Sequence, residues 1–250
     1  MVEAVREKLR QIEQEAQVKI LYCVESGSRA WGFASPDSDY DIRFVYVRPM
    51  RDYLRLEEVR DVIEWELNDV WDINGWDLRK LLRLLRKSNP TIFEWLASPI
   101  VYYTTPEWET VAKTIRAYFQ PKACLHHYLS MCRSNYKVNI KGDAVKYKKY
   151  FYVLRPLLAY RWIMERNEPA PIDFSVLMTQ TLPAQVRETV EQLLVMKTTM
   201  GEAAVGAPVP LLNAYIEQQL ALIEQQIHTI PDAPIPAWDG LNACFWELLQ

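Results

Sequence analysis

The sequence predicts an α+β fold in two parts, a small mixed β-sheet lobe over residues 1–105 and an all-helical lobe over 106–250. Three observations predict it. Runs rich in β-branched and aromatic residues, bounded by turn formers, fall between residues 18 and 73. Apolar residues at three- and four-residue steps dominate from Asp77 onwards. The composition, half apolar and 24% charged with only seven glycines, is that of a helix-rich globular chain long enough to bury two cores.

The elements follow in order. Val2, Val5, Leu9, Ile12 and Ala16 recur at helical spacing among charged residues, so residues 1–17 read as an amphipathic helix that covers one face of a sheet. A strand is expected over 18–24, broken by Glu25-Ser26-Gly27-Ser28, with the opening turn of a short helix over 29–33. Turn formers around Pro36 lead into a strand over 39–47, in which Asp39 and Asp41 share one face because side chains alternate. Strands over 59–67 and 70–73 flank Asn68-Asp69, a hairpin turn. Strand signals stop there. Asp77, Ser88-Asn89 and Thr105-Pro106 are helix starts, and further helices are expected over 106–119, 122–139, 143–165 with a kink at Pro156, 183–198, 210–228 and 239–249.

No apolar run approaches the roughly 18 residues that a membrane span needs, and the N-terminus is a charged helix pattern, so a cytoplasmic address is expected. Cys23, Cys124, Cys132 and Cys244 lack CxxC spacing and are expected as buried thiols, not metal ligands. The net charge of −3 hides an asymmetry: residues 122–161 hold nine basic residues against the single acid Asp143. Such a segment can face a triphosphate or a nucleic-acid backbone, and Lys148, Lys149 and Arg155 on the helix that carries it are the candidate contacts.

The chemistry concentrates in residues 25–42. A Gly-Ser at a strand-to-helix turn lets backbone approach a phosphate and aims amide N–H groups and the Ser28 hydroxyl at it. Two aspartates two residues apart on the next strand present hard oxygen ligands for Mg²⁺ or Mn²⁺. Arg29 is a candidate phosphate contact; Ser38 reads first as a turn cap and second as a nucleotide contact.

Gly27-Ser28 followed by Asp39-Tyr40-Asp41 resembles the nucleotidyltransferase signature of the DNA polymerase β superfamily. More narrowly, Gly27-Ser-Arg-Ala-Trp-Gly with Ser38-Asp-Tyr-Asp-Ile-Arg-Phe is similar to the RlaP type, for RNA ligase associated protein. The likeness continues in Gly75-Trp-Asp-Leu-Arg-Lys, Lys87-Ser-Asn-Pro, Glu94-Trp-Leu and Lys148-Lys-Tyr-Phe-Tyr-Val-Leu-Arg-Pro, and spans residues 20–175. The resemblance implies a metal-dependent transfer of a nucleoside monophosphate from an NTP to a hydroxyl acceptor, with RNA or another anionic molecule as partner. Asp39 and Asp41 would bind Mg²⁺ or Mn²⁺, and Gly27-Ser28 the phosphates. A third carboxylate is Asp72, if an antiparallel neighbour of the Asp39 strand brings it beside the pair, or Asp77, whose other reading is a helix N-cap. Glu64 and Glu66 stand in reserve. Two other functions remain open: a non-catalytic, regulatory nucleotide-binding module, and AMP transfer to a protein or small molecule.

Overall fold

The structure, a computed structural model, describes residues 1–140, 142, 144–200, 204–232 and 234–249, the side chains of Gln180, Thr181 and Met200 excepted. In chain order the elements are α1 (Val2–Ala16), β1 (Lys19–Glu25), α2 (Gly27–Ala30), β2 (Tyr40–Val47), α3 (Met50–Tyr53), β3 (Val62–Leu67), β4 (Trp71–Asp77), α4 (Leu78–Leu85), α5 (Pro90–Leu96), β5 (Val101–Thr104) and α6 (Trp108–Ala117). Then come α7 (Pro121–Asn139), β6 (Val145–Lys146), α8 (Lys148–Arg166), α9 (Phe174–Thr181), α10 (Ala184–Met200), β7 (Val205–Gly206), α11 (Pro210–Gln226) with a 3₁₀ turn at Ile227–Thr229, and α12 (Asp239–Glu247). The fold is mixed α+β, as predicted. Lys141 and Asp143 of the basic segment lie outside the described residues.

The chain divides into two compact units, Met1–Ala30 with Asp39–Phe119 and Ile235–Gln250, and Trp31–Ser38 with Gln120–Pro234. The boundary read near residue 105 thus falls inside the first unit. α6 stays with the sheet because Trp108 stacks on Tyr22 of β1, ring centroids 4.2 Å apart and nearly coplanar.

In the first unit a five-stranded sheet has the order β3-β4-β2-β1-β5. Neighbours run antiparallel except β2 and β4, which are parallel and pair Asp41 with Asp72. The antiparallel arrangement expected for these two strands is therefore corrected. The Asn68 side chain accepts from Val70 N and Trp71 N, both at 2.9 Å, and closes the β3-β4 hairpin. It is the second arm of that hairpin that lies beside β2, and the second arm runs in the direction of β2.

A further correction is β5, which pairs antiparallel with β1 well past the last expected strand. With only four residues, of which Tyr102 alone is buried, it shows no alternation a sequence reading can detect. Within β1 the register shifts between Ile20 and Tyr22. The bulge lets Ile20 and Cys23, an odd number apart, join the same core with Val5, Leu9 and Ile12 of α1, Ile42, Phe44 and Tyr46 of β2, Ile73 and Tyr102. Burial of this set, some 1.5–3 kcal/mol for each large side chain, fixes which face of β2 is left for Asp41.

Among its described residues the second unit is helical apart from the short antiparallel β6-β7 ladder. Its centre is α8, which runs through Pro156 and buries residues on nearly every side, among them Tyr150, Phe151, Leu154, Leu157 and Leu158. Residues 31–38 belong to this unit because Phe33 inserts between Phe151 and Phe174, at 5.1 and 5.4 Å, and Lys197 donates to its carbonyl at 3.0 Å. α3 and α9 are helices that the sequence reading did not place. All four cysteines are buried and none forms a disulfide. Among the described residues no helix is long and apolar enough to cross a membrane.

Candidate active site

Strand β1 ends at Glu25, and the chain turns immediately at Gly27, whose φ of +58° only glycine adopts readily. The turn is forced against β2. A Cβ at Gly27 would lie 1.8 Å from Asp41 Oδ2, so the absence of a side chain is what lets this carboxylate sit on the loop. Two bonds lock the contact: Ser26 N donates to the Asp41 carbonyl, and Asp41 N donates to Glu25 Oε1, both at 2.8 Å. Glu25 is fully buried, and its other oxygen accepts from the Tyr102 hydroxyl at 2.5 Å. Burial pushes the Glu25 carboxyl above its usual range, against the bonds from Tyr102 and Asp41 N.

Ser28, which follows Gly27, is buried, and its hydroxyl has no hydrogen-bond partner among the described residues. A buried hydroxyl without a partner costs about 1–3 kcal/mol, and an oxygen of a bound phosphate would satisfy it. Arg29 donates from Nε to the Asp39 carbonyl at 3.0 Å and stacks its guanidinium over Tyr40 at 3.8 Å. It braces the start of β2. Ser38 is the turn cap: its Oγ accepts from Ser35 N and bonds Ser35 Oγ, each at 3.0 Å.

On β2 the positions two apart, Asp41 and Arg43, point one way, Asp39 stands just before the strand, and the parallel register sets Asp72 beside Asp41. Arg43 joins the two carboxylates. One nitrogen, Nη2, donates to Asp41 Oδ1 at 2.9 Å and Asp72 Oδ2 at 2.7 Å, while Nη1 donates to the carbonyls of Asp72 at 2.7 Å and Ile42 at 3.1 Å. Burial raises the Asp41 carboxyl to about 6; Arg43 pulls it down, and the charges of Asp39, Asp72 and Glu25 push it further up. The three aspartates and Glu25 are therefore one electrostatic cluster.

The other candidate third carboxylates lie elsewhere. Asp77 pairs with Tyr46, five positions along β4 from Asp72, or roughly 16 Å at the usual rise. Its side chain caps α4 by accepting from Arg79 N at 2.7 Å, and it also accepts from Tyr53 Oη at 3.1 Å. Glu64 pairs with Arg60, and Glu66 with Lys8 and Asn68. Of the four, the structure brings only Asp72 to Asp41.

The basic segment belongs to the second unit, and much of it is neutralised there. Lys122 meets Asp232 at 2.7 Å, Arg133 meets Glu224 at 2.6 Å, and Arg161 reaches Glu165 at 3.7 Å. Arg155 is buried with its guanidinium over Trp31 at 4.5 Å, and Lys149 lies over Tyr152 at 5.1 Å. The run of positive charge in sequence is thus not one positive surface in space.

Sequence reasoning gave no role to Glu25 or Arg43. Arg43 was detectable as the next same-face residue after Asp39 and Asp41, and Glu25 as the acid that ends an otherwise apolar strand.

Oxygen donors of this kind suit Mg²⁺ or Mn²⁺, and two of them already converge on one cationic nitrogen, so the residues fit such an ion in chemistry. Among the described residues no three His, Cys, Asp or Glu side chains are grouped to hold a metal as they stand. Asp41 and Asp72 have Arg43 between them instead.

Over 228 residues, 89% of this chain and 86% of the relative, the sequence is 45% identical to a Bacillus subtilis (strain 168) protein named uncharacterized protein YcgL. A crystal structure at 1.90 Å of a nucleotidyltransferase-like protein from Exiguobacterium sibiricum 255-15 aligns over 90% of this chain and 75% of that one, at 15% identity and a TM-score of 0.32. That score is too low to bear on the fold. The decisive match is to RlaP, the RNA repair pathway DNA polymerase β family, over residues 1–247, and with virtually the whole sequence inside that match the chain belongs to this family.

Proposed function

We propose that this protein transfers a nucleoside monophosphate from a nucleoside triphosphate to a hydroxyl acceptor, with pyrophosphate leaving. The observation that carries the reading is the contact of Gly27 with Asp41, where a turn that can hold phosphate abuts a strand that carries carboxylates. Ser26 and Gly27 set the turn, and the buried Ser28 hydroxyl would bond a phosphate oxygen, with backbone N–H groups of the turn completing the cradle. Asp39, Asp41 and Asp72 would hold Mg²⁺ or Mn²⁺, which when bound supplies charge neutralisation on the triphosphate and makes the acceptor hydroxyl more acidic. Asp72 is assigned as the third carboxylate because the parallel register sets it beside Asp41, where it can accept the proton of an acceptor hydroxyl. Arg29, held over Tyr40, keeps Asp39 and the start of β2 fixed against the turn and offers its cation near the phosphates.

We assign RNA or another anionic acceptor as the partner, on the family membership and on Lys146 of β6 with Lys148 and Lys149 at the start of α8. Arg155, stacked on Trp31, is assigned to supporting that helix and the 31–38 segment from within. Buried thiols without disulfides fit a cytoplasmic address.

A second reading is nucleotide binding without transfer, favoured by the Arg43 bridge that already neutralises Asp41 and Asp72. The test supplies each α-labelled NTP with Mg²⁺ or Mn²⁺ and a pool of RNA, and follows pyrophosphate and label. Transfer should occur and should fall by orders of magnitude in Asp41→Asn and Asp72→Asn. NTP binding with no pyrophosphate release under any metal would establish the second reading.

A further inference from the structure

The arrangement of Arg43 goes beyond an ordinary ion pair. A surface Arg-carboxylate bridge joins one cation to one anion; here a single nitrogen, Nη2, takes one oxygen from Asp41 and one from Asp72, on two neighbouring parallel strands. The other nitrogen, Nη1, anchors the same guanidinium to the carbonyls of Ile42 and Asp72. Four acceptors use all four N–H bonds of the two terminal nitrogens, so the group is held in place and not merely attracted. It is 18% exposed, in a cluster where Asp39 and Glu25 add further negative charge.

We propose that Arg43 is the resident counter-cation of this site: it holds Asp41 and Asp72 converged in the absence of a divalent cation and gives up that place when one binds, so that it sets the site's metal affinity. This rests on the metal-binding role assigned to the two aspartates above. The reason for exclusion is direct. Mg²⁺ or Mn²⁺ held by Asp41 and Asp72 would compete with Nη2 for the same carboxylates, and the guanidinium beside it would be a like charge. Because Arg43 lies two residues beyond Asp41 on β2, its displacement needs only a side-chain rotation, with the strand pairing unchanged. Carboxylates preassembled by an internal cation lose affinity to competition, but they do not have to be gathered when the metal arrives.

Arg43 is thus a positioning residue. Its test is direct binding of Mn²⁺, free of nucleotide, by calorimetry and by the loss of the free-ion paramagnetic signal, on the whole chain and on Arg43→Gln, Arg43→Lys and Asp41→Asn. Arg43→Gln should bind Mn²⁺ at least about tenfold more tightly than the wild type. Arg43→Lys, which keeps a charge but cannot span four acceptors, should fall between. Without metal, Arg43→Gln should melt lower than the wild type, and Mn²⁺ should raise its melting temperature by more. If Arg43→Gln fails to fold, the rank of Arg43→Lys above the wild type decides. Binding that Asp41→Asn abolishes, but that is equal or weaker in both Arg43 variants, would overturn the proposal and leave the metal-binding reading intact. No Mn²⁺ binding in the wild type or in either Arg43 variant would overturn both.

Discussion

Gly27 and Asp41 are a pair in which each constrains the other. A residue with a side chain at φ +58° costs about 1–2 kcal/mol, a loss that a chain of this size survives. The larger effect is on the site, because a Cβ 1.8 Å from Asp41 Oδ2 must push the carboxylate away from the turn. Gly27→Ala should therefore cut transfer by orders of magnitude while the melting temperature falls by a few degrees at most; an unfolded variant, or one with near-normal turnover, would contradict this. Asp41 itself is held in the fold at a cost. Its carboxyl titrates near 6 in the folded state, above its ordinary range, chiefly through burial. A raised pKa means that the contribution of Asp41 to stability is fully present below the unfolded value, about 4, and is lost as pH rises through 6. Asp41→Asn, neutral at every pH, should then stabilise the metal-free protein by about 2–3 kcal/mol at pH 7–8, a figure that already includes the pull of Arg43, and by nearly nothing at pH 4. Urea midpoints across that range check it, and a gain that grows as pH falls would have the wrong sign.

Among the elements, β4 places two aspartates with opposite fates. Asp72 enters the cluster through the parallel pairing with β2, and Asp77 ends the strand and starts α4. Asp77 accepts from Arg79 N and from Tyr53 Oη and is 2% exposed, so Asp77→Ala removes a cap and leaves the Tyr53 hydroxyl without its acceptor. The expected loss is about 2–3 kcal/mol in stability with transfer largely kept. Lost turnover with unchanged melting would move the proposed catalytic role from Asp72 to Asp77. The contrast also separates what a sequence can reveal from what it cannot. Gly27, Ser28, Asp39 and Asp41 lie within fifteen residues, where local turn chemistry and strand alternation relate them directly. Asp72 needed the strand order, and an antiparallel neighbour was the natural expectation for strands joined through a short hairpin. Arg43 and Glu25 were legible as residues but not as partners, because the bonds from Arg43 to Asp72 and those that Glu25 accepts from Asp41 N and Tyr102 cross from strand to strand. β5 was invisible for a different reason: four residues with one buried side chain carry too little pattern.

For the whole molecule the same limit appears in charge and in domain make-up. Residues 122–161 are strongly basic in sequence, yet Glu224 and Asp232, far along the chain, return to pair with Arg133 and Lys122. The two units are likewise discontinuous. Residues 31–38 fold with the helices because Phe33 fills an aromatic pocket there, and residues 235–250 fold with the sheet. No local signal marks either return. The second has a consequence that can be measured. α12 buries Leu241 and Cys244, sets Phe245 edge-on to Tyr53 at 5.0 Å, and is preceded by Pro236 and Ala237, whose carbonyls accept from Arg86 at 2.9 Å and Tyr118 at 3.1 Å. Trp238 lies beneath the Arg86 guanidinium at 4.3 Å. Removing residues 235–250 would expose the apolar faces of α4 and α6 and leave those donors to water, a loss of about 3 kcal/mol or more. All of it falls on the first unit. Hydrogen exchange resolved along the chain should accordingly show faster exchange in β1, β2 and β4 of the shortened protein, with protection of α7 and α8 close to that of the full chain. Were α8 to lose protection while the sheet kept its own, the C-terminal helix would belong to the second unit, and the assignment of residues 235–250 would be wrong.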